Sequence, residues 1–224
     1  METGSFSPQG IIAGDRPLTH QPITVLSGEG ARVRGSVMGK ISIGAASSAA
    51  KSGGNTGTGT FVLDASTPVL AGAKVGVYSL RCVTAAANGG VFRLTDPDGY
   101  NLGDFTITGG AGGVVTVAND IKGVITDAGT DFIVGDGFDI TVAPGSGKWK
   151  LAVATAVDGS AVPRAILAED LDATDGDVTG PAYFEGEFAA EMLTYGAGHT
   201  ATTVEAALRA AAQSIYLKSV GAVA

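Results

Sequence analysis

Cysteine is nearly missing from this chain. Its 224 residues hold one, Cys82, so no disulfide can close within the chain and no thiolate zinc site can be assembled. In the stretch VYSLRCVT it reads as a small buried hydrophobe on a strand. Histidine is almost as scarce. His20 lies in LTHQP and His199 in GAGHTATT, far apart and in no metalloenzyme spacing. Both read as loop histidines rather than ligands or bases. Aromatic residues make up 6% of the chain, with a single tryptophan, Trp149, so no platform for stacking sugars is evident. Basic residues are outnumbered, 14 against 22 acidic, for a net charge of −8. An acidic surface repels phosphate backbones, so no nucleic-acid partner is expected. No apolar run reaches the length of a membrane span, and no membrane partner is expected. METGSFSPQGIIAGDRP lacks a basic region followed by an apolar one, so it reads as no secretory signal, and the protein as soluble and made in a cytoplasm. There is no G-x-S-x-G elbow, no P-loop and no dinucleotide fingerprint. No catalytic residue, metal ligand or cofactor is therefore assigned.

Glycine is what the chain has in quantity, 35 residues. Without a Gly-X-Y period this is not collagen, and it is too much glycine for a helical protein. Glycines between short Val, Ile, Thr and Phe runs predict many short strands joined by tight turns. Period-two alternation is clearest over residues 60–142. Tyr78, Leu80 and Cys82 oppose Ser79 and Arg81, and Phe138, Ile140 and Val142 oppose Asp139 and Thr141. Asn88-Gly89-Gly90 and Asp98-Gly99 are hairpin signals. Seven or so strands over this length predict an antiparallel, Ig-like β-sandwich.

The flanks differ. Residues 1–22 are broken by Pro8, Gly10, Gly14, Pro17 and Pro22, with Ile11-Ile12 as the only apolar pair, and predict a flexible arm. ITVLSGEGARVRGSVMGKISI (23–43) predicts two strands. GAASSAAKSGGNTGTG (44–59) and PGSGK (143–147) read as linkers, and KWKLAVATAV (148–157) as a strand. Helices are expected near 188–193 and over 202–215. The second has Thr202 and Glu205 at capping-box spacing, and Val204, Leu208, Ala211 and Ile215 on one face. The expected organisation is an arm at 1–22, a discontinuous domain of 23–54 plus 147–224, and an inserted sandwich at 55–146.

Two acidic stretches invite a cation: TDPDGYNLGD (95–104) and the run from Glu169 to Asp177, with five carboxylates. Neither has EF-hand spacing. The first reads as an Asp-Pro-Asp-Gly hairpin turn and the second as a solvated loop.

Residues 157–217, from VDGSAVPRAILAEDLDATDGDV to AAAQSIYL, resemble the lambda-type head decoration proteins of tailed bacteriophages. The landmarks run in order: the strand and acidic residues of Ala161 to Thr174, the Gly-Glu-Phe element within Ala182 to Phe188, Leu193-Thr194-Tyr195, and a terminal helix ending in Ser-Ile-Tyr-Leu (214–217). ARVRGSVMGKIS (31–42) looks like that family's first strands, and SPQG (7–10) sits in an arm like its N-terminal arm. The resemblance covers about half of the chain and omits 55–146. It implies a mainly β fold with a little α, a small split α+β decoration fold carrying the inserted sandwich. It also implies a structural viral protein, not an enzyme. Such a protein binds the outside of the expanded capsid as a homotrimer at three-fold or quasi-three-fold positions, and cements neighbouring capsomers against DNA pressure. Its partners would be the major capsid protein and itself. Its place would be the outer surface of the virion, after synthesis in the host cytoplasm. The capsid-binding arm is expected to centre on Leu18, Thr19, His20, Gln21, Pro22, Ile23, Thr24 and Val25, adding strand contacts to the shell. The alternative is a surface-exposed adhesin-type module of a virion, with a weak host-surface or glycan contact made through 55–146.

Overall fold

The computed structural model describes residues 10–108 and 110–219. The chain forms two compact units. One is built from the stretch up to Ile41 together with the stretch from Gly147 on, and the other is Ser42–Ser146. The mainly β class expected from the composition is the observed one.

The first unit opens with β1 (Thr19–Val25), β2 (Gly30–Arg32) and β3 (Val37–Lys40). The second contains β4 (Ile43–Ala50), β5 (Thr60–Leu63), β6 (Gly76–Ala86), β7 (Gly89–Thr95), β8 (Asn101–Ile107), β9 (Val114–Ala118), β10 (Lys122–Thr126) and β11 (Gly137–Pro144). The first unit resumes with β12 (Trp149–Leu151), β13 (Pro163–Leu167), β14 (Leu171–Ala173), β15 (Val178–Ala189), α1 (Ala201–Ala210) and β16 (Ser214–Lys218).

In the second unit a five-stranded sheet, β4-β11-β6-β7-β8, faces a three-stranded sheet, β5-β10-β9. The alternation read from the sequence is the reason. Tyr78, Leu80 and Cys82 on β6 and Phe138, Ile140 and Val142 on β11 are buried on one face. Phe61 on β5 meets Phe138 on β11 across the sandwich, ring centroids 5.9 Å apart. Phe132 lies edge-on to both Phe92 (5.0 Å) and Phe138 (6.1 Å). The hairpin between β6 and β7 turns at Asn88, whose φ is +51°, as an Asn-Gly turn requires. One expectation fails here. The stretch 44–59, expected as a linker, begins as strand: Ile43–Ala50 lies antiparallel to β11, so the unit starts at Ser42 rather than at residue 55. Alanine and serine are indifferent strand formers, and pairing with an already built sheet outweighs that propensity.

In the first unit the strand order is β1-β12-β3-β13-β15-β16, and β1 also pairs with β15. Five strands therefore close into a small barrel, with β16 added to the far half of β15. Ile23, Val25, Met38, Trp149, Leu167 and Ala182 fill one core cluster. Trp149 meets Phe184 edge-on at 5.5 Å. A second cluster lies under α1, where Val204 and Leu208 join Phe188, Ile166, Ile215 and Ile11. The strands β15 and β16 are parallel, and α1 belongs to the crossover that such a pair needs.

Two helix expectations are corrected. Residues 188–193 are not an α-helix. β15 runs on to Ala189 because Phe188 and Ala189 pair with Leu217 and Lys218, and only a 3-10 turn, Ala190–Met192, follows. The terminal helix is shorter than 202–215. Its cap is Thr200, with a capping box to Thr203 rather than Thr202 to Glu205. It stops where Ala212 takes φ +52°, a left-handed conformation that ends a helix. Ile215 then sits on β16 opposite Gly186.

Candidate functional site

Leu18 to Val25 were expected to form the business end of a free arm. The first nine residues of that arm lie outside the described residues. From Gly10 onward the arm expectation is corrected: the segment lies along β15 and β16. Ile11 is 5% exposed in the core under α1. The N–H of Ala13 donates to the carbonyl of Glu187, and the N–H of Ala189 to that of Ile11, both at 2.9 Å. Arg16 stacks on the Tyr216 ring at 4.2 Å from its centroid, while Arg209 from α1 stacks on the same ring at 4.0 Å. A single buried isoleucine, two main-chain bonds and one cation–π contact hold this strap. Its low apolar content concealed that Ile11 alone suffices as an anchor.

The eight site residues divide by role. Ile23 (3% exposed) and Val25 (0%) belong to the barrel core. Thr19 Oγ1 donates to Glu185 Oε2 at 3.1 Å, and Thr24 Oγ1 shares a hydrogen bond with Thr179 Oγ1 at 3.0 Å. Leu18 packs against Gly186, where a Cβ would stand 2.6 Å from the leucine Cδ2. His20, Gln21 and Pro22 are exposed. Pairing with β15 sets His20 opposite Tyr183, Gln21 opposite Ala182 and Pro22 opposite Pro181.

Two facing prolines cannot exchange N–H bonds, so Pro22–Pro181 is a wide, non-bonded pair of the antiparallel ladder. By the same alternation His20 and Thr24 also turn their N–H groups away from β15. On that outer side β12 joins β1 only at Val25, opposite Trp149, with the Leu26 N–H bonded to the Trp149 carbonyl. The outer edge from His20 to Thr24 thus offers the N–H groups of His20 and Thr24 and the carbonyls of His20 and Pro22. Proline is tolerated in a strand where its missing N–H faces outward, as here. This edge was hidden in the sequence, although Pro22 inside an alternating run was its signal.

Elsewhere the chemistry is structural. The five carboxylates at 169–177 include three that accept backbone N–H groups, one within its own turn and two from distant loops. Asp170 accepts the Arg34 N–H (2.6 Å), Asp172 the Thr174 N–H (2.9 Å) and Asp177 the Ser27 N–H (2.9 Å). Asp177 also pairs with Lys148 at 2.5 Å. The nearby aromatics are spent on packing, with Phe188 fully buried and 5.3 Å from Tyr183. His199 Nε2 lies 2.9 Å from the Ala161 carbonyl, next to the helix cap. Among the described residues no three His, Cys, Asp or Glu side chains converge as metal ligands.

In the 95–104 turn, a lysine takes the place a cation would have. Lys74 Nζ lies 2.6 Å from both Asp96 and Asp98. Asp96 Oδ1 accepts the N–H groups of Asp98 (3.0 Å) and Tyr100 (2.8 Å). The Lys74 hydrogen bond, with these backbone donors, holds the Asp96 carboxyl below the usual carboxylate range. A depressed folded pKa adds stability above the unfolded value and loses it as pH falls through the folded one. Lys74→Met should therefore lower the thermal midpoint by several degrees at neutral pH, and flatten its decline between about pH 4 and pH 2. Parallel melting curves of the two proteins at those pH values test this.

A family model described as bacteriophage lambda head decoration protein D matches residues 4–215. The chain belongs to that family. No curated protein matches it. Two crystal structures of Xanthomonas campestris FlgL, in space groups H3 and C2, match at 22% and 23% identity with a TM-score of 0.29. Those matches cover 50% of this chain and 33% of each FlgL chain. A head decoration protein is a capsid-associated structural component of the virion, not an enzyme. Its carboxylates and histidines therefore need no catalytic account, and its surfaces do.

Proposed function

We propose that this decoration protein is a trimeric clamp on the outer surface of the expanded head. It sits at three-fold or quasi-three-fold positions and ties neighbouring capsomers together against the pressure of packaged DNA. The observation that carries this reading is the open outer edge of β1 from His20 to Thr24, beside exposed Leu18 and Gln21. An open edge takes an extended segment by β-augmentation, here one from the major capsid protein. Three copies held together engage three such sites at once, so a weak edge contact per copy sums to tight binding. The net charge of −8 suits the outside of a shell better than a surface facing DNA. The second unit, Ser42–Ser146, is an addition that head binding does not need.

The test uses the N–H groups that point away from β15. The double variant His20→Pro/Thr24→Pro removes both outer donors and leaves the β15 ladder in place. Co-sedimentation with expanded, undecorated heads should show binding weakened about tenfold or more. Circular dichroism should be unchanged. Full binding by this variant would show that the β1 edge is not the contact.

A further inference from the structure

Apart from the β1 edge assigned above to the capsid, the outer strands of the two sandwich sheets other than β4, and β16 in the first unit, each carry a guard against pairing with a foreign strand. β8 has Asp104, β16 has Lys218, and β5 and β9 are only 4 and 5 residues long. Short strands, charge and proline are the usual means of blunting an edge. β4 has none of them. It is 8 residues long, reads IGAASSAA, and lies at the end of the five-stranded sheet, paired only with β11. No charged residue occurs between Lys40 and Lys51.

Which groups the edge offers follows from the ladder. The Lys51 N–H donates to the Gly137 carbonyl at 2.9 Å, and Ala50 stands opposite Phe138. Ala50–Phe138 is therefore a wide pair, and so are Ser48–Ile140 and Ala46–Val142. Ala46, Ser48 and Ala50 turn their N–H and C=O groups away from β11, where among the described residues no second strand pairs with them, although the Ser48 hydroxyl donates to the Phe61 carbonyl at 3.4 Å. The side chains between them, Ser47 and Ala49, are small and exposed.

We propose that this edge pairs with β4 of a second copy of the chain, antiparallel about a two-fold axis at Ser48. In that register Ser48 meets the partner's Ser48 and Ala46 meets the partner's Ala50. Every outward-turned residue then faces another, which gives about six interchain hydrogen bonds and one continuous sheet. Ser47 faces the partner's Ala49, a pair of small side chains that lets the backbones approach. The strand is nearly self-complementary about Ser48, with only alanine and serine from Ala45 to Ala50, which favours a second copy for this edge. Copies of a chain with net charge −8 repel one another over most of their surfaces. β4 is an uncharged strip, and the nearest cation, Lys51, falls opposite the partner's Ala45 rather than the partner's Lys51. The contact is independent of the proposed trimer and of capsid binding, since it uses only the second unit. It would join one decoration assembly to the next.

Sedimentation velocity of the full-length chain over about a hundredfold concentration range tests this. The expected result is a species of at least twice the base mass that grows with concentration. Ser48→Pro removes an outward donor that takes no part in the β11 ladder. Ser47→Lys/Ala49→Lys sets like charges face to face across the axis. Each should raise the concentration needed for association about tenfold or more. Circular dichroism will confirm folding, and if the proline variant fails to fold, the lysine pair decides. A wild-type mass that stays constant across the range would overturn the proposal, whether or not another polypeptide uses the edge. So would association of the folded lysine variant at the wild-type concentration.

Discussion

Replacing Phe132 by alanine is expected to destabilise the Ser42–Ser146 unit by about 3–5 kcal/mol, the usual cost of emptying a fully packed phenylalanine site. Phe132 is 1% exposed and lies edge-on to Phe92 on β7 and to Phe138 on β11. Its other side is covered by backbone. A Cβ on Gly59 would stand 2.3 Å from the ring, and one on Gly57 2.8 Å from it. Those glycines let the main chain lie directly on the aromatic face. Deleting the ring leaves a void that neither the two rings nor the backbone can close without breaking sheet register. The readout can be made specific to one unit, because Trp149, the only tryptophan, is in the other. In urea, the far-UV dichroism of Phe132→Ala should show an early transition, while Trp149 fluorescence changes near its wild-type midpoint. A variant whose dichroism and fluorescence both match wild type would show that Phe132 is not a keystone of this core.

The sandwich was the most legible part of the sequence, and the reason is physical. Its strands have one buried and one wet face, so Tyr78-Leu80-Cys82 and Phe138-Ile140-Val142 print a period of two directly. Its hairpins need positive φ, so Asn88 and Gly99 mark them. The barrel is less legible because closure leaves short strands. β12 has three residues and β3 four, too few for any period to show. The false helix at 188–193 arose from FAAEML, whose local preference is helical, while the pairing of Phe188 with Leu217 is a contact no local window can show. β4 failed in the same way. Its residues are those of a linker, and only β11, almost a hundred positions away, makes them a strand.

The segment around Pro22 was legible as irregular, but its packing was not. Pro22 and its neighbours pointed to a segment unsuited to an interior strand, and β1 has an outer edge that is open from His20 to Thr24. The composition could not show that Ile11, alone in a run of prolines and glycines, finds a slot beside Phe188 and Leu208. The 95–104 turn teaches the reverse lesson. The carboxylates were correctly read as turn residues, yet the cation that satisfies them, Lys74, is more than twenty positions upstream and carries no local signature.

Asp136 is the second residue whose replacement should have a large effect. It lies between Gly135 and Gly137, is 2% exposed, and ties two loops of the sandwich together. Its carboxylate accepts the N–H groups of Thr56 (3.0 Å), Gly57 (2.9 Å) and Ile133 (3.1 Å). Burial opposes its ionisation, but the three donors, with help from Lys51, outweigh that and hold its pKa below the usual carboxylate range. Asp136→Ala would leave three N–H groups without this acceptor, at a cost of about 3 kcal/mol or more. Asp136→Asn keeps the size but points an amide NH2 at donors, and should cost about 2–3 kcal/mol. The sign of the pH dependence follows from the depressed pKa. The stabilisation is complete well above 3.8, the value of a free aspartate, and is lost as pH falls below it through the folded value. Wild type should therefore lose urea resistance between about pH 4 and pH 2 more steeply than Asp136→Asn, which has no proton to take up there. Curves of equal slope for the two proteins would mean that Asp136 is held by its shape alone and that its charge contributes nothing to the fold.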